Sequence, residues 1–260
     1  MDVRLDGRCA LVTGGSRGIG FAIAKKFAES GADVAILARS RDKLDQAKAE
    51  IGRSAKTRIV AVECDAASRA GVERGYAEAA AALGKVDILV NNAGTSTRGK
   101  FLEVSDEKWQ GDLDLKVFGA VRFARLAIPG MQSRKWGRII NIVNIGARAP
   151  AAASMPTSVS RAAGIAITKA LANEFAPDNI LVNALAVGWI KSDQWIGFHR
   201  QEAPDRSYEE FLRMRGKQVP LGRIGEAEEF ANVACLLASD AGGYVTGVCI
   251  NIDGGRSPVV

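Results

Sequence analysis

Short apolar runs recur along the chain, each separated from the next by a stretch long enough for one helix. Cys9–Val12, Val34–Ala38, Ile59–Val62, Val86–Val90, Ile139–Ile145, Ile180–Ala186 and Val248–Ile252 carry few polar side chains. Runs apolar on both faces belong to strands covered on both faces, and strands alternating with helices pair in parallel. The pattern predicts an α/β fold, a doubly wound parallel sheet. No repeat, low-complexity tract or linker divides residues 1–260, so a single domain is expected.

Between the first two runs the period changes from strand to helix. Ile19, Ile23 and Phe27 lie four apart, Ala22, Ala24 and Ala28 fill the same side, and Ser30-Gly31 supplies a left-handed stop. The link between strand and helix is Thr13-Gly14-Gly15-Ser16-Arg17-Gly18-Ile19-Gly20. A strand turning through glycines into a helix presents backbone N–H groups at the positive end of the helix dipole, which makes a phosphate cradle. Gly14 permits the tight turn, Gly18 the approach of a pyrophosphate, and Gly20 close packing of helix on strand. Strand, loop, helix and second strand in this order make the expected fold Rossmann-type.

Hydrophobic residues at 47% and charged residues at 25% are the proportions of a soluble globular protein. The apolar run at Cys9 gives way at once to Thr-Gly-Gly, so neither a signal peptide nor a membrane span is expected. The net charge of +6 comes from scattered arginines and lysines, which points away from nucleic acid and suits an anionic cofactor or substrate. Cys9, Cys64, Cys235 and Cys249 lie far apart with no CxxC pair. That excludes a cysteine metal site and reads as buried, reduced thiols of a cytoplasmic protein.

The spacing Gly-x-x-x-Gly-x-Gly after Thr13 resembles the short-chain dehydrogenase/reductase family, and the likeness continues downstream. Cys64-Asp65 ends the third strand, where the family places an aspartate beside adenine. Asn91-Asn92-Ala93-Gly94 resembles its structural and cofactor-contacting motif, and Gly137-Arg138-Ile139-Ile140-Asn141-Ile142 the lead-in to its catalytic strand. Val182-Asn183-Ala184 with Gly188, Ile190 and Ser192 resembles the segment covering the nicotinamide, with Val187 at the usual proline. Pro220-Leu221-Gly222-Arg223 and Asp253-Gly254-Gly255 extend the resemblance from Gly7 to Gly255. It implies a nicotinamide dinucleotide held by Gly14, Ser16, Arg17, Gly18, Ile19, Gly20, Arg39, Ser40, Asp65, Asn92, Gly94, Arg161, Gly188, Ile190 and Ser192. An acid after the second strand would accept from a ribose hydroxyl and favour NAD. Here Ala38-Arg39-Ser40 lets Arg39 fork onto a 2′-phosphate, with Arg17 opposite, so NADP(H) is expected over NAD(H).

The same resemblance implies an Asn–Ser–Tyr–Lys tetrad, the tyrosine and lysine four apart on one helix face. Counting from the helix Ala162 to Phe175 puts Arg161 at the lysine position and Thr157 at the tyrosine position. Asn144 falls at the serine position and Lys116 at the asparagine position, so all four differ. Tyr76, Tyr208 and Tyr244 are the only tyrosines, and no shift of register brings one into place. The amide of Asn144 is able to hold a carbonyl oxygen. Arg161, permanently charged, suits a ribose or phosphate but passes no proton. The Thr157 hydroxyl is a poorer acid than a phenol. Lys116, if desolvated beside Arg161, is the remaining proton carrier, and the two cations together equally suit an acidic substrate group.

Residues 193–217 are read as a substrate lid, with Trp195, Phe198, Tyr208, Phe211 and Met214 beside Arg200, Arg206, Arg213, Arg215 and Lys217. Tyr208, Phe211 and Leu212 share one side of a short helix, which serves a surface helix and a substrate pocket alike. His199 is either a surface residue or a proton donor. Family resemblance further implies a homodimer or homotetramer through the helices carrying Lys116 and Arg161. The leading functional reading is NADP(H)-dependent oxidoreduction of a small-molecule carbonyl or alcohol with a replaced tetrad. The rivals are a nucleotide-binding regulatory partner without turnover, and a non-redox lyase or hydratase on the same fold.

Overall fold

The structure, a computed structural model, describes residues 3–260. The first half alternates β1 (Cys9–Thr13), α1 (Gly18–Glu29), β2 (Asp33–Ala38), α2 (Arg41–Ser54), β3 (Ile59–Glu63), α3 (Arg69–Leu83) and β4 (Ile88–Asn91). A short strand β5 (Arg98–Gly99) leads to α4 (Asp106–Leu113), a π-helical turn Asp114–Phe118 and α5 (Gly119–Ser133). Then come β6 (Gly137–Asn144), a short β7 (Met155–Pro156), α6 (Thr157–Phe175), β8 (Ile180–Val187), α7 (Asp193–Glu202), α8 (Tyr208–Gly216), α9 (Ala227–Ala238) and β9 (Cys249–Ile252). All seven apolar runs named above become strands of one sheet, shifted by one or two residues at their ends.

That sheet has the order β3-β2-β1-β4-β6-β8-β9, and every pairing is parallel. The order reverses between β1 and β4, and in such sheets the crevice beyond the strands' carboxyl ends at this point receives ligands. β5 and β7 form a separate antiparallel ribbon. One apolar layer beneath α1, α2 and α9 gathers Ile23, Phe27, Ile36, Leu44, Ile51 and Phe230. The opposite layer, beneath α3 and α5, gathers Leu11, Leu37, Val72, Leu83, Phe123 and Met131. Each strand alternates its side chains between the two layers, which is why its residues are apolar throughout.

The helix expected from Ala162 begins earlier, at Thr157, so Thr157 occupies its first turn instead of the loop before it. Gly14 has φ of +65° and Gly18 +57°, the left-handed conformations that this turn requires. Gly20 is forced for another reason: a Cβ there would stand 2.3 Å from the Gly14 carbonyl oxygen and 2.4 Å from Asn92 Nδ2. Gly52, on the exposed face of α2, has nothing within 4 Å of such a position. Gly20→Ala is therefore expected to destabilise by about 1–3 kcal/mol. Gly52→Ala should be neutral or stabilise by up to about 1 kcal/mol. Thermal unfolding of the two variants side by side checks this pair, and equal melting temperatures would contradict the close contact.

Candidate active site

The crevice is bounded on one side by the glycine loop. Gly14 and Gly15 N–H groups donate to the Leu37 carbonyl at 2.7 and 3.2 Å, tying the loop to β2. Thr13 Oγ1 accepts from the Asn92 and Ala93 N–H groups at 2.9 and 3.0 Å. Asn92 Nδ2 donates back to the Thr13 and Gly14 carbonyls at 2.9 and 3.2 Å. Asn92 thus braces the loop from β4. No side chain caps α1 at Arg17, and its first turn holds no acid, so the positive end of the helix faces the crevice uncompensated.

The other residues expected to hold a nucleotide come from several elements. Arg39 follows β2 and has no ion pair among the described residues. Arg17 Nη1 donates to Asp193 Oδ2 at 2.9 Å. Asp65 Oδ1 accepts from the Ala67 N–H in its own turn at 3.0 Å. Ser40 and Ser192 begin α2 and α7 without side-chain caps. Ser16 and Ile19 are half-buried, whereas Ile190 is buried and leaves only its backbone for a ligand. A Cβ on Gly188 would meet Asp253 Cα at 2.4 Å, so this glycine is required by the packing of β8 against β9. Gly94 packs against Arg161, whose Nη2 lies 2.3 Å from where a Cβ would be.

The four tetrad positions divide into a sealed pair and two separate groups. Lys116 sits in the π-helical turn, where Nζ donates to Asp112 Oδ1 and, at 2.8 Å, to Thr157 Oγ1. The Asp112 and Lys116 side chains are both 0% exposed. Ser160 Oγ donates to the other Asp112 oxygen at 2.6 Å. Thr157 Oγ1 donates to the Thr97 carbonyl at 2.8 Å and accepts from the Thr97 N–H at 2.9 Å. Its hydroxyl is spent on pinning β7 and α6 to the segment before β5. Arg161 Nη1 donates to the Ile142 carbonyl at 2.6 Å, and no carboxylate pairs with it among the described residues. Asn144, at the end of β6, keeps a buried Oδ1 without a hydrogen-bond partner.

Burial first, then the Arg161 charge, pulls the Lys116 pKa from 10.5 to about 8 against the opposing pull of Asp112. Burial pushes Arg161 down to about 10, still cationic near neutrality. Between Lys116 and Arg161 lies a cavity of about 10 Å³ reached by Asn91, Asn141 and Ser160, the room of one water. Asp112, Ser160 and Thr97 are the site residues that sequence reading missed. Asp112 carried a legible signal, since an acid four residues before Lys116 shares its helix face.

The segment 193–217 packs on itself and on Trp189 and Ile224. Trp195 and Phe211 are buried, and Trp195 lies edge-on to Trp189 at 5.4 Å and to Phe198 at 5.8 Å. His199 Nε2 contacts the Arg206 carbonyl at 2.7 Å, and its ring lies 5.5 Å from Phe211. Phe211 and Gly216 are the buried residues of α8.

Removing one member of a buried pair strands the other charge, so Asp112→Asn should cost about 3–5 kcal/mol. Asp112→Leu combined with Lys116→Met should recover most of that loss, as judged by urea unfolding. The folded pKa of Lys116 lies below its unfolded value, so between pH about 8 and 10.5 the unfolded chain binds more protons. Stability should therefore rise with pH across that window, a slope that Lys116→Met removes.

Comparison with known proteins agrees with this architecture. The family described as enoyl-(acyl carrier protein) reductase matches residues 14–257. The 3-oxoacyl-[acyl-carrier-protein] reductase FabG of Aquifex aeolicus is 34% identical over 98% of this chain and 99% of its own. Dehydrogenase/reductase SDR family member 4 of Homo sapiens is 33% identical over 96% of this chain and 88% of its own. L-sorbose reductase from Gluconobacter frateurii, solved complexed with NADPH and L-sorbose, superposes with a TM-score of 0.96. It is 35% identical, and the match covers 100% of both chains. The fold, the glycine loop and these relatives together place the chain in the short-chain dehydrogenase/reductase family of oxidoreductases.

Proposed function

We propose that this protein is an NADP(H)-dependent reductase of a carbonyl compound, or dehydrogenase of the alcohol, that works without a tyrosine acid. The observation that carries the cofactor half is Arg39, a cation without a carboxylate partner at the end of β2, beside a glycine loop whose Gly20 admits no Cβ. Those residues fit a dinucleotide: backbone and the α1 terminus for the pyrophosphate, Arg39 and Arg17 for a 2′-phosphate. Arg161, next to Gly94, suits the nicotinamide-side ribose. When bound, the cofactor supplies a hydride at its nicotinamide ring, and the chain has to place a carbonyl there.

On the proton side this chain offers little. The Thr157 hydroxyl is occupied by Thr97 and Lys116, and Lys116 is enclosed with Asp112. Asn144 ends β6 at the crevice, so its amide is the group left to orient a carbonyl oxygen, with the proton drawn from water. Loss of a positioned general acid removes about 10²–10⁴ in rate. Proximity of hydride and carbonyl is a separate contribution that survives that loss. Slow reduction is the expected behaviour.

The segment 193–217 serves in this reading as the cover of the substrate side. Phe118 and Val159, exposed on the faces of the π-helical turn and α6, suit pairing into a homodimer or homotetramer. Four free thiols, three of them buried, suit a reducing compartment such as the cytoplasm. Among the described residues no helix is long and apolar enough to cross a membrane.

A second reading, a nucleotide-binding partner without turnover, is favoured by the enclosure of Thr157 and Lys116. One experiment separates the two. NADPH and NADH are titrated by fluorescence, and a panel of ketoses, 3-oxoesters and aldehydes is then screened for loss of nicotinamide absorbance. The expected outcome is tighter binding of NADPH and a slow turnover that Asn144→Ala abolishes and Thr157→Val leaves within about threefold, since Thr157 contributes no acid catalysis. Tight NADPH binding with no substrate consumed establishes the second reading instead.

A further inference from the structure

Arg17 joins two parts of the rim that the chain separates by 176 positions. It stands in extended backbone, φ −165°, as the residue before α1, and its guanidinium reaches Asp193, the first residue of α7. Beside this ion pair, a Cβ on Gly18 would stand 3.5 Å from Ser192 Cβ, so loop and α7 also approach in van der Waals contact. The pair faces solvent, with side chains 56% and 51% exposed, within reach of an arriving ligand. Of the two cations suited to a 2′-phosphate, Arg39 has no carboxylate partner among the described residues, whereas Arg17 is already neutralised.

We propose that Asp193 is a cofactor-selectivity residue, an internal carboxylate that a 2′-phosphate must displace from Arg17. This rests on the reading of the site as one for NADP(H). A phosphate monoester carries nearly two negative charges and three acceptor oxygens, and it wins a guanidinium from a single carboxylate. A nucleotide without that phosphate offers Arg17 nothing in exchange and leaves α7 strapped to the glycine loop. The 2′-phosphate both recognises Arg17 and frees the first turn of α7, so cofactor identity and the position of segment 193–217 are coupled. The effect has a ceiling: an exposed ion pair changes a binding constant by no more than about fivefold.

The test is a fluorescence titration of the full chain with NADPH and NADH, with adenosine 2′-monophosphate as competitor. It compares the wild type, Asp193→Asn, Arg17→Met and the double variant at low and high salt. Asp193→Asn should tighten NADPH and adenosine 2′-monophosphate by about two- to fivefold, leave NADH unmoved, and lose its effect in high salt. In the Arg17→Met background the same substitution should change nothing, and Asp193→Glu should restore wild-type selectivity. Equal tightening of NADPH and NADH, or the same gain without Arg17, reduces Asp193 to general charge repulsion and overturns the inference. A wild type that prefers NADPH with a ratio unmoved by Asp193→Asn overturns it too, leaving the NADP(H) reading intact. A wild type that prefers NADH overturns the NADP(H) reading itself, and this inference with it.

Discussion

The contact on which the whole site depends is backbone against backbone, Gly20 against the Gly14 carbonyl with Asn92 wedged beside them. It fixes the angle at which α1 leaves β1 and thereby aims the helix terminus. It also ties β1 to the end of β4, across the place where strand order reverses. A methyl group at Gly20 would separate these parts by more than the crevice tolerates. Cradle, brace and switch point are one packed unit.

From that unit the site divides into two chemistries. Its nucleotide side is made largely of backbone, with cations at the rim, and needs little from side chains beyond small size. Its substrate side would need a positioned acid, and there the chain has placed Asp112, Lys116, Thr157 and Ser160 in a closed polar cluster. A buried ion pair contributes little net stability relative to an apolar pair, but its members cannot leave one another without stranding a charge. Lys116 is thereby held in place. The π-helical turn Asp114–Phe118 lies at this cluster, in keeping with the frequent occurrence of such turns at functional sites.

Much of this was legible in the chain. Seven apolar runs located seven strands, because a strand buried on both faces leaves polar residues no place except its ends. The glycine spacing located the cradle, because φ near +60° and a 2.3 Å approach admit no other residue. The lowered pKa of Lys116 follows from desolvation and the nearby Arg161 together, two conditions that packing supplies.

The sequence by itself determined the sheet and the glycine-rich turn from β1 into α1. These depend on local period and backbone conformation, which neighbours along the chain specify. Tertiary structure decided what those residues do to one another. Arg17 meets Asp193, 176 positions away, and Lys116 is enclosed with Asp112 and Thr157. Trp195 and Phe211 pack together, ring centroids 6.1 Å apart. A long charged or aromatic side chain chooses among partners brought close by the fold, and that choice is made by distance and desolvation, neither of which is written in the order of residues.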